Sequence, residues 1–478
     1  MYENLILLIM KKQQGINWQL KLWFITVLLL TTLFTAIFTA WVVKRAIIGG
    51  PRLSYTQRQF VLWVAKIPRL VWDAGLGFYS ICTSKPILAI MDRKSVEKPC
   101  WVRRFPAPED PGYLLFAGID SIAKHSVVKL IRIADGKKMA VWDPDWKAIY
   151  EITTNKKFSA KGNFRAAFAR HPLLLPDGDI IFNSNSAMVR LGPYSSKPVW
   201  VLDEVLHHSN EIGVNGEILV PSIFRNPFPD NPWLNAHIKD DALAQVSTDG
   251  KLLQKFSFSK ILIDNGLGVL LFGMNGFHFA HDPIHINHIK AALSNTRYWK
   301  RGDWLISARN LSAIFLYRPS TGRIVWHQTG PWMNQHYVDF VDDHRISVFS
   351  NNVFSGAPDE QPFVKPNDVN RVFVYDFKTK QASEPFADLL AIARPITITE
   401  GCTRVLPDGG LFVEETNSGR ILRFKKDQLL WSLINDYDNN YIGTLSWSRY
   451  LTADEAKIPL KALASRQCKK ANDTSLDR

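Results

Sequence analysis

A repeat limits the fold more than any other feature. Leu-Pro-Asp-Gly stands at 175–178 and again at 406–409, with related turns at Val214–Gly216, Gly302–Trp304 and Val341–His344. Each is followed by a short apolar run of strand character: DIIF, EILV, WLIS, RISVF and LFVE. Several runs continue into a second turn and strand, as in VSTDGKLLQKF and RPSTGRIVWH. Asp177 to Asn215 spans 38 positions and Asp303 to Asp343 spans 40, while intervals of 88 and 65 separate the other turns. A unit of about forty residues with insertions gives that spacing, and four short antiparallel strands of that length make a propeller blade. Units starting near Gly112, His171, His208, Ile284, His336 and Thr403 predict an all-β, six-bladed β-propeller over residues 111–464. A β-sandwich pair or barrel is the rival architecture, but it does not require so regular a repeat. Pro221–Asp241 and Ser259–Ala280 are expected as loops over one face, and residues 465–478 as a polar tail.

The N-terminal part has a different texture. Residues 1–21 form a short lead, and Leu22–Val43 is an uncharged run with Trp23 and Trp41 near its ends. As a helix it rises about 33 Å, enough to cross a hydrocarbon core of about 30 Å. It reads as a single uncleaved transmembrane anchor; a cleaved signal peptide is the alternative, against which stand its length and the lack of a clean cleavage site. Residues 44–110 are expected to hold a helical juxtamembrane segment at Ser54–Asp73, kinked at Pro68, and a proline-punctuated connector. Lys11, Lys12 and Lys21 on one side face Lys44, Arg45, Arg52 and Arg58 on the other, so charge alone leaves orientation open. Net charge is +14 over 478 residues without a long basic run, and no nucleic-acid partner is expected. The 4 cysteines lack metal-binding spacing; Cys82 and Cys100 are the pair close enough in sequence to suggest a bridge, with free thiols the alternative.

The chemistry concentrates at Ala280–Asn352. Histidine stands near the start of several predicted inner strands: His171, His207 with His208, His285 and His336. Residues at equivalent repeat positions converge on one axis, so these imidazoles are expected at one channel mouth. His285 and Asn287 share a strand face because side chains alternate. Arg309 ends the neighbouring strand and adds a permanent cation. Imidazoles, an amide and a guanidinium suit a tetrahedral oxyanion better than a divalent metal. His281, His285 and His288 could hold zinc by type, but their spacing is helical within strand-like sequence, so no metal site is expected.

These residues carry a resemblance. HIN at 285–287, SARN ending at Asn310, the GP…QH of Gly330–His336 and FSNN at 349–352 are similar to bacterial, aryl-sulfate-dependent arylsulfotransferases. TRVLPDGGLFVEETNSGRILRF resembles that family's last blade, and the likeness covers about Arg170–Leu433. It implies a six-bladed propeller that moves a sulfuryl group from an aryl sulfate to a phenolic acceptor, without a nucleotide donor or other cofactor. It further implies ping-pong transfer through a sulfurylated His336, with His208 as acid and base. His285, Asn287 and Arg309 would hold the sulfate, and His171 is a further candidate for substrate binding. The expected setting is the inner membrane, single-pass through residues 22–43, with the propeller on the periplasmic or extracytoplasmic side; a homo-oligomer is compatible with it. Tyr337 after His336 departs from the family pattern and would narrow the acceptor pocket. A non-catalytic membrane-anchored propeller used for binding or assembly, and a metal-dependent hydrolase or lyase on the same scaffold, are the alternative readings.

Overall fold

Apolar side chains at successive positions of these strands demand burial on both faces, and stacked blades supply it. The computed structural model describes residues 23–42, 44, 57, 60, 61, 63, 64, 90–92, 105–154, 167–184, 187–273, 281–354, 363, 364 and 369–476. Six four-stranded antiparallel sheets form the propeller. Blade 2 holds Arg170–Leu174, Ile180–Asn183, Met188–Leu191 and Pro198–Leu202. Blade 3 holds Glu211–Ile212, Ile218–Phe224, Asp240–Val246 and Leu252–Ser257. Blade 4 holds Ile286–Ala291, Trp304–Ala308, Ala313–Arg318 and Arg323–Thr329. Blade 5 holds Tyr337–Phe340, Arg345–Ser350, Arg371–Asp376 and Gln381–Ser383, and blade 6 holds Cys402–Val405, Leu411–Glu415, Arg420–Lys425 and Gln428–Ile434.

Blade 1 departs from the expected unit. Tyr113–Ile119, Ser126–Arg132 and Lys138–Trp142 are its outer three strands, and its innermost strand is Arg449–Leu451 from the far end of the chain. Tyr113, Leu114 and Leu115 pair with Leu451, Tyr450 and Arg449. The unit starting at Gly112 therefore enters its blade at the second strand, and the ring is closed by residues remote in sequence. Buried Asp110 locks the seam: it accepts hydrogen bonds from Trp431 Nε1 at 2.7 Å and from the Tyr450 hydroxyl at 2.6 Å.

The core is a chain of interblade clusters. Leu115 and Val128 meet Ile180 and Phe182, Leu173 and Ile181 meet Ile218 and Ala244, and Leu219 and Leu243 meet Ile289 and Phe315. Leu305 and Ile314 meet Val338 and Val348, and Phe349 and Leu411 share a cluster with Leu114 and Phe116. Each sheet is thus held by its neighbours on both sides.

Some segments expected as loops are ordered otherwise. Pro221–Phe224 continues a blade 3 strand, Asp240 and Asp241 begin the next, and the helix Pro232–His237 lies between them. The second insertion holds helices Phe258–Asp264 and Val269–Phe272, the first placing Phe258 and Leu262 in the core, and residues 274–280 lie outside the described residues. After the closing strand a helix runs Ala453–Leu476, through most of the expected polar tail. Thr452 and Glu455 cap it reciprocally: Glu455 N–H donates to Thr452 Oγ1 at 3.3 Å, and Thr452 N–H to Glu455 Oε2 at 2.9 Å.

The chain divides into two units, Met1–Thr83 and Ser84–Arg478. In the first, Trp23–Val42 is an exposed apolar helix of 20 residues, long enough to cross a membrane; a signal sequence meets the same description. Thr31, Thr32 and Thr35 turn their hydroxyls back to the carbonyls of Val27, Leu28 and Thr31 at 2.7–2.8 Å, which removes their polarity from the surface. Of the expected juxtamembrane helix, Gln57, Phe60, Val61, Trp63 and Val64 are helical and the remainder lies outside the described residues, as do Cys82 and Cys100. In the connector, Ile90–Asp92 pairs with Tyr441–Gly443.

Replacing Asp110 by Ala leaves the Trp431 and Tyr450 donors buried without an acceptor. We expect a loss of about 2–4 kcal/mol of stability, read as a lowered thermal midpoint, with Tyr450→Phe costing about 1 kcal/mol.

Candidate active site

The site is built from one backbone device used six times. His171, His208, His285, Asn334, Glu400 and Trp447 all have positive φ, between 48° and 58°. Each stands at the entry to the innermost strand of a blade. Left-handed backbone costs a non-glycine residue roughly 1–2 kcal/mol and here turns the chain sharply as it enters the ring. Three of the six residues are the histidines singled out by the repeat. His336 is not their equivalent: it lies two positions past left-handed Asn334, where blades 3 and 4 carry Asn210 and Asn287. Those asparagines tie blades together, Asn210 Nδ2 donating to the His171 carbonyl at 2.9 Å and Asn287 Nδ2 to the Gln335 carbonyl at 3.1 Å.

The imidazoles do meet. His208 is the hub, with ring centroids 5.2 Å from His285, 6.2 Å from His171 and 6.4 Å from His336. Behind the cluster, His171 stacks on Trp447 at 3.6 Å and 6°. Trp447 is held by Glu414, which accepts the Trp447 and Ser448 N–H groups at 2.8 and 2.6 Å; burial pushes the Glu414 carboxyl up to about 7. Trp447 also borders a cavity of about 150 Å³ lined by Tyr337, Lys290, Arg404 and Arg449. Tyr337, expected beside the acceptor, faces that cavity and stacks on His288 at 4.2 Å.

Hydrogen bonding sets each tautomer. Asn351 donates its Nδ2 to the carbonyls of Thr397 and Glu400, so its oxygen faces His336 and accepts from Nδ1 at 2.6 Å. The Nε2 lone pair of His336 then accepts the Glu400 N–H at 3.0 Å. In His285, Nδ1 donates to Asp282 Oδ2 at 2.7 Å. In His208, Nδ1 lies 2.7 Å from Nδ1 of His207, whose Nε2 donates to the Ser222 carbonyl at 3.1 Å. With His207 neutral, its Nδ1 accepts, and His208 likewise presents an Nε2 lone pair. All three rings thus carry their proton on Nδ1 and leave Nε2 unprotonated, that of His336 being taken up by the Glu400 N–H.

Electrostatics keeps them neutral. Burial first, then the Arg309 charge, holds His336 well below the usual histidine range. Burial and the neighbouring histidines do the same to His208. His285 is lowered by burial and Arg309 although Asp282 opposes them. Arg309 follows strand Trp304–Ala308 and donates its backbone N–H to the His285 carbonyl at 3.0 Å. Its Nε bonds the adjacent Asn310 at 3.0 Å, and its terminal nitrogens make no hydrogen bond to a described residue. The Arg170 guanidinium pairs with the Glu400 carboxylate, joining the entries of blades 2 and 6.

His281 and His288 lie apart from the cluster. His281 is exposed on the His237 carbonyl, and buried His288 faces Glu211 at 3.3 Å, so the three histidines of HDPIHINH do not converge. Asp342, Asp343 and His344 come together in one turn, far along blade 5 from the imidazoles. Sequence reasoning missed Asp282, Asn351, His207 and Glu400 as partners. Asp282 had a signal in its position three residues before His285, and Asn351 lay within the FSNN already noted.

A six-bladed propeller whose inner strands gather His171, His208, His285 and His336 beside the Arg309 guanidinium defines a propeller protein with a histidine-rich centre. The chain belongs to the arylsulfotransferase (ASST) family, whose sequence profile matches residues 171–435, more than half its length. No curated protein matches it at comparable stringency. Solved structures it is similar to include a Bacteroides caccae protein of unknown function, at 12% identity over 72% of this chain and 99% of that one, TM-score 0.40. Virginiamycin B lyase from Staphylococcus aureus aligns at 12% identity over 55% and 68%, TM-score 0.29. The WD40 propeller domain of Doa1 aligns at 9% over 75% and 95%, TM-score 0.37. At those scores the likenesses carry no argument, and the fold rests on the sheets themselves.

Inorganic sulfate at about ten times its dissociation constant is expected to stabilise the protein by about 1.4 kcal/mol. Arg309→Gln should abolish most of that gain, measured as the sulfate-dependent shift of the thermal midpoint.

Proposed function

We propose that this protein is an arylsulfate sulfotransferase, anchored in the inner membrane by its N-terminal helix with the propeller on the extracytoplasmic side, that works by two displacements through His336. The observation that carries the reading is the tautomer of His336: Asn351 keeps Nδ1 protonated, and Nε2 offers its lone pair within reach of Arg309 and beside His208 and His285. In the first step Nε2 attacks sulfur, the N–S bond forms and the aryl S–O bond breaks. His208 enters this step with its proton on Nε2 and its Nδ1 accepting from His207; it gives the Nε2 proton to the leaving phenoxide, and Arg309, His285, Asn287 and His171 hold the sulfuryl oxygens and the substrate. In the second step a phenolic acceptor gives its proton to His208 as its oxygen displaces the imidazole.

The contrast between Asn351 and Asp282 supports the division of roles. A neutral amide on Nδ1 leaves the sulfurylated imidazole cationic, and hence a good leaving group. The carboxylate on His285 raises its basicity, so the ring can take up a proton at Nε2 as the anion arrives and donate it to a sulfuryl oxygen. As sulfur arrives, the Glu400 N–H must pass from Nε2 to a sulfuryl oxygen, where it becomes another donor. The same contact, with His336 only 1% exposed, favours the second reading of a silent binding propeller.

Incubation with 4-nitrophenyl sulfate followed by peptide mass spectrometry should find a sulfuryl group on His336. His336→Asn should lose the adduct and at least about 100-fold in transfer rate. Absence of adduct and turnover across several aryl sulfates removes the proposal and leaves the silent propeller. Because His336 is held well below its ordinary 6.5, lowering the pH from about 7.5 to 6.5 should leave the fraction of neutral nucleophile, and the rate of adduct formation, nearly flat.

A further inference from the structure

Behind His208 lies an arrangement that the transfer steps above do not use. His207 and His208 are consecutive, their Nδ1 atoms 2.7 Å apart and their rings nearly perpendicular at 84°. Two nitrogens at that distance require one proton between them. On its far side, His207 Nε2 lies 3.1 Å from the Ser222 carbonyl and 3.4 Å from Asp241 Oδ1. The Asp241 side chain is fully buried; Oδ2 accepts the Ile286 N–H at 3.0 Å, while Oδ1 has no hydrogen-bond partner. A buried carboxylate oxygen without a donor is costly unless a cation stands near it. Asp241 also acts at a distance on His285 and Arg309, Asp240 adjoins it, and His208 faces His171, His285 and His336, so the relay sits among one further carboxyl group, three imidazoles and one guanidinium.

We propose that Asp241, His207 and His208 form a proton relay in which His207 is a positioning residue that stores the proton His208 exchanges with phenols. The proposal rests on the transfer reading for its substrate class, phenols and aryl sulfates. In the charged state His207 carries both N–H groups, stabilised by Asp241, and His208 is neutral with its proton on Nε2. When the first phenoxide leaves, it takes that Nε2 proton, and His208 Nδ1 takes the shared proton back from His207. The pair is then neutral, in the tautomers the hydrogen bonds define. When the acceptor phenol attacks, its proton enters at His208 Nε2, the Nδ1 proton passes to His207, and the charged state returns. One proton leaves and one enters per cycle.

The test uses the full chain and 4-nitrophenol, whose absorbance reports its own protonation. At a pH where the free compound is protonated, we expect it to bind the native protein as the phenolate and to bind His207→Gln as the phenol. In turnover, the loss caused by His207→Gln for phenyl sulfate should exceed the loss for 4-nitrophenyl sulfate by about 100-fold, because the poorer leaving group depends on the proton. Asp241→Asn, which keeps an acceptor for Ile286, provides the same comparison if His207→Gln does not fold. The same protonation state in native and variant proteins, or equal losses for both donors, overturns the relay. Bound phenolate without a sulfuryl group on His336 keeps the relay and removes the transfer reading, whereas no binding of 4-nitrophenol to the native protein removes both.

Discussion

The three-residue pairing of Tyr113–Leu115 with Arg449–Leu451 holds everything else in place. A propeller is a ring of sheets, each buried only by its neighbours, so an open ring exposes two blade faces at once. Here the clasp is short, and polar contacts reinforce it: Asp110 ties Trp431 to Tyr450, and Arg449 reaches Glu211, the Asn210 carbonyl and the Pro172 carbonyl at 2.6–2.7 Å. The closing strand therefore binds its own blade and its neighbours. It also delivers Trp447, the floor on which His171 lies.

Much of this was legible in the chain. The turn tetrapeptides and their spacing are local chemistry, and they announce blades because a turn must recur wherever a short strand ends. The membrane-length helix was legible for the same reason: hydropathy needs no tertiary context. Closure of blade 1 was not, since RYL at 449–451 is too short to carry a pattern and pairs with residues more than three hundred positions away. Helices in the two insertions were hidden because stretches of four to seven residues look like loops until something packs on them.

The site divides the same way. Residue types and order pointed to His208, His285, Arg309 and His336, and these do lie together. The left-handed entries did not show, because φ is not written in a histidine. Hence His336 was aligned with residues two positions out of register. The partners that set each tautomer were hidden too: Asn351 and Glu400 come from the next strand and the next blade, and His207 was visible only as the neighbour of His208. Its distinct role depends on Asp241 folding beneath it.

Trp447 gives the arrangement a consequence in time. It belongs to the segment that closes the ring, and three hundred residues of propeller emerge from the ribosome before it does. Until that segment docks, His171 has no floor and the mouth lacks one of its six entries. The chain thus cannot complete its histidine cluster piecemeal as it is made. The cluster and the ring close together.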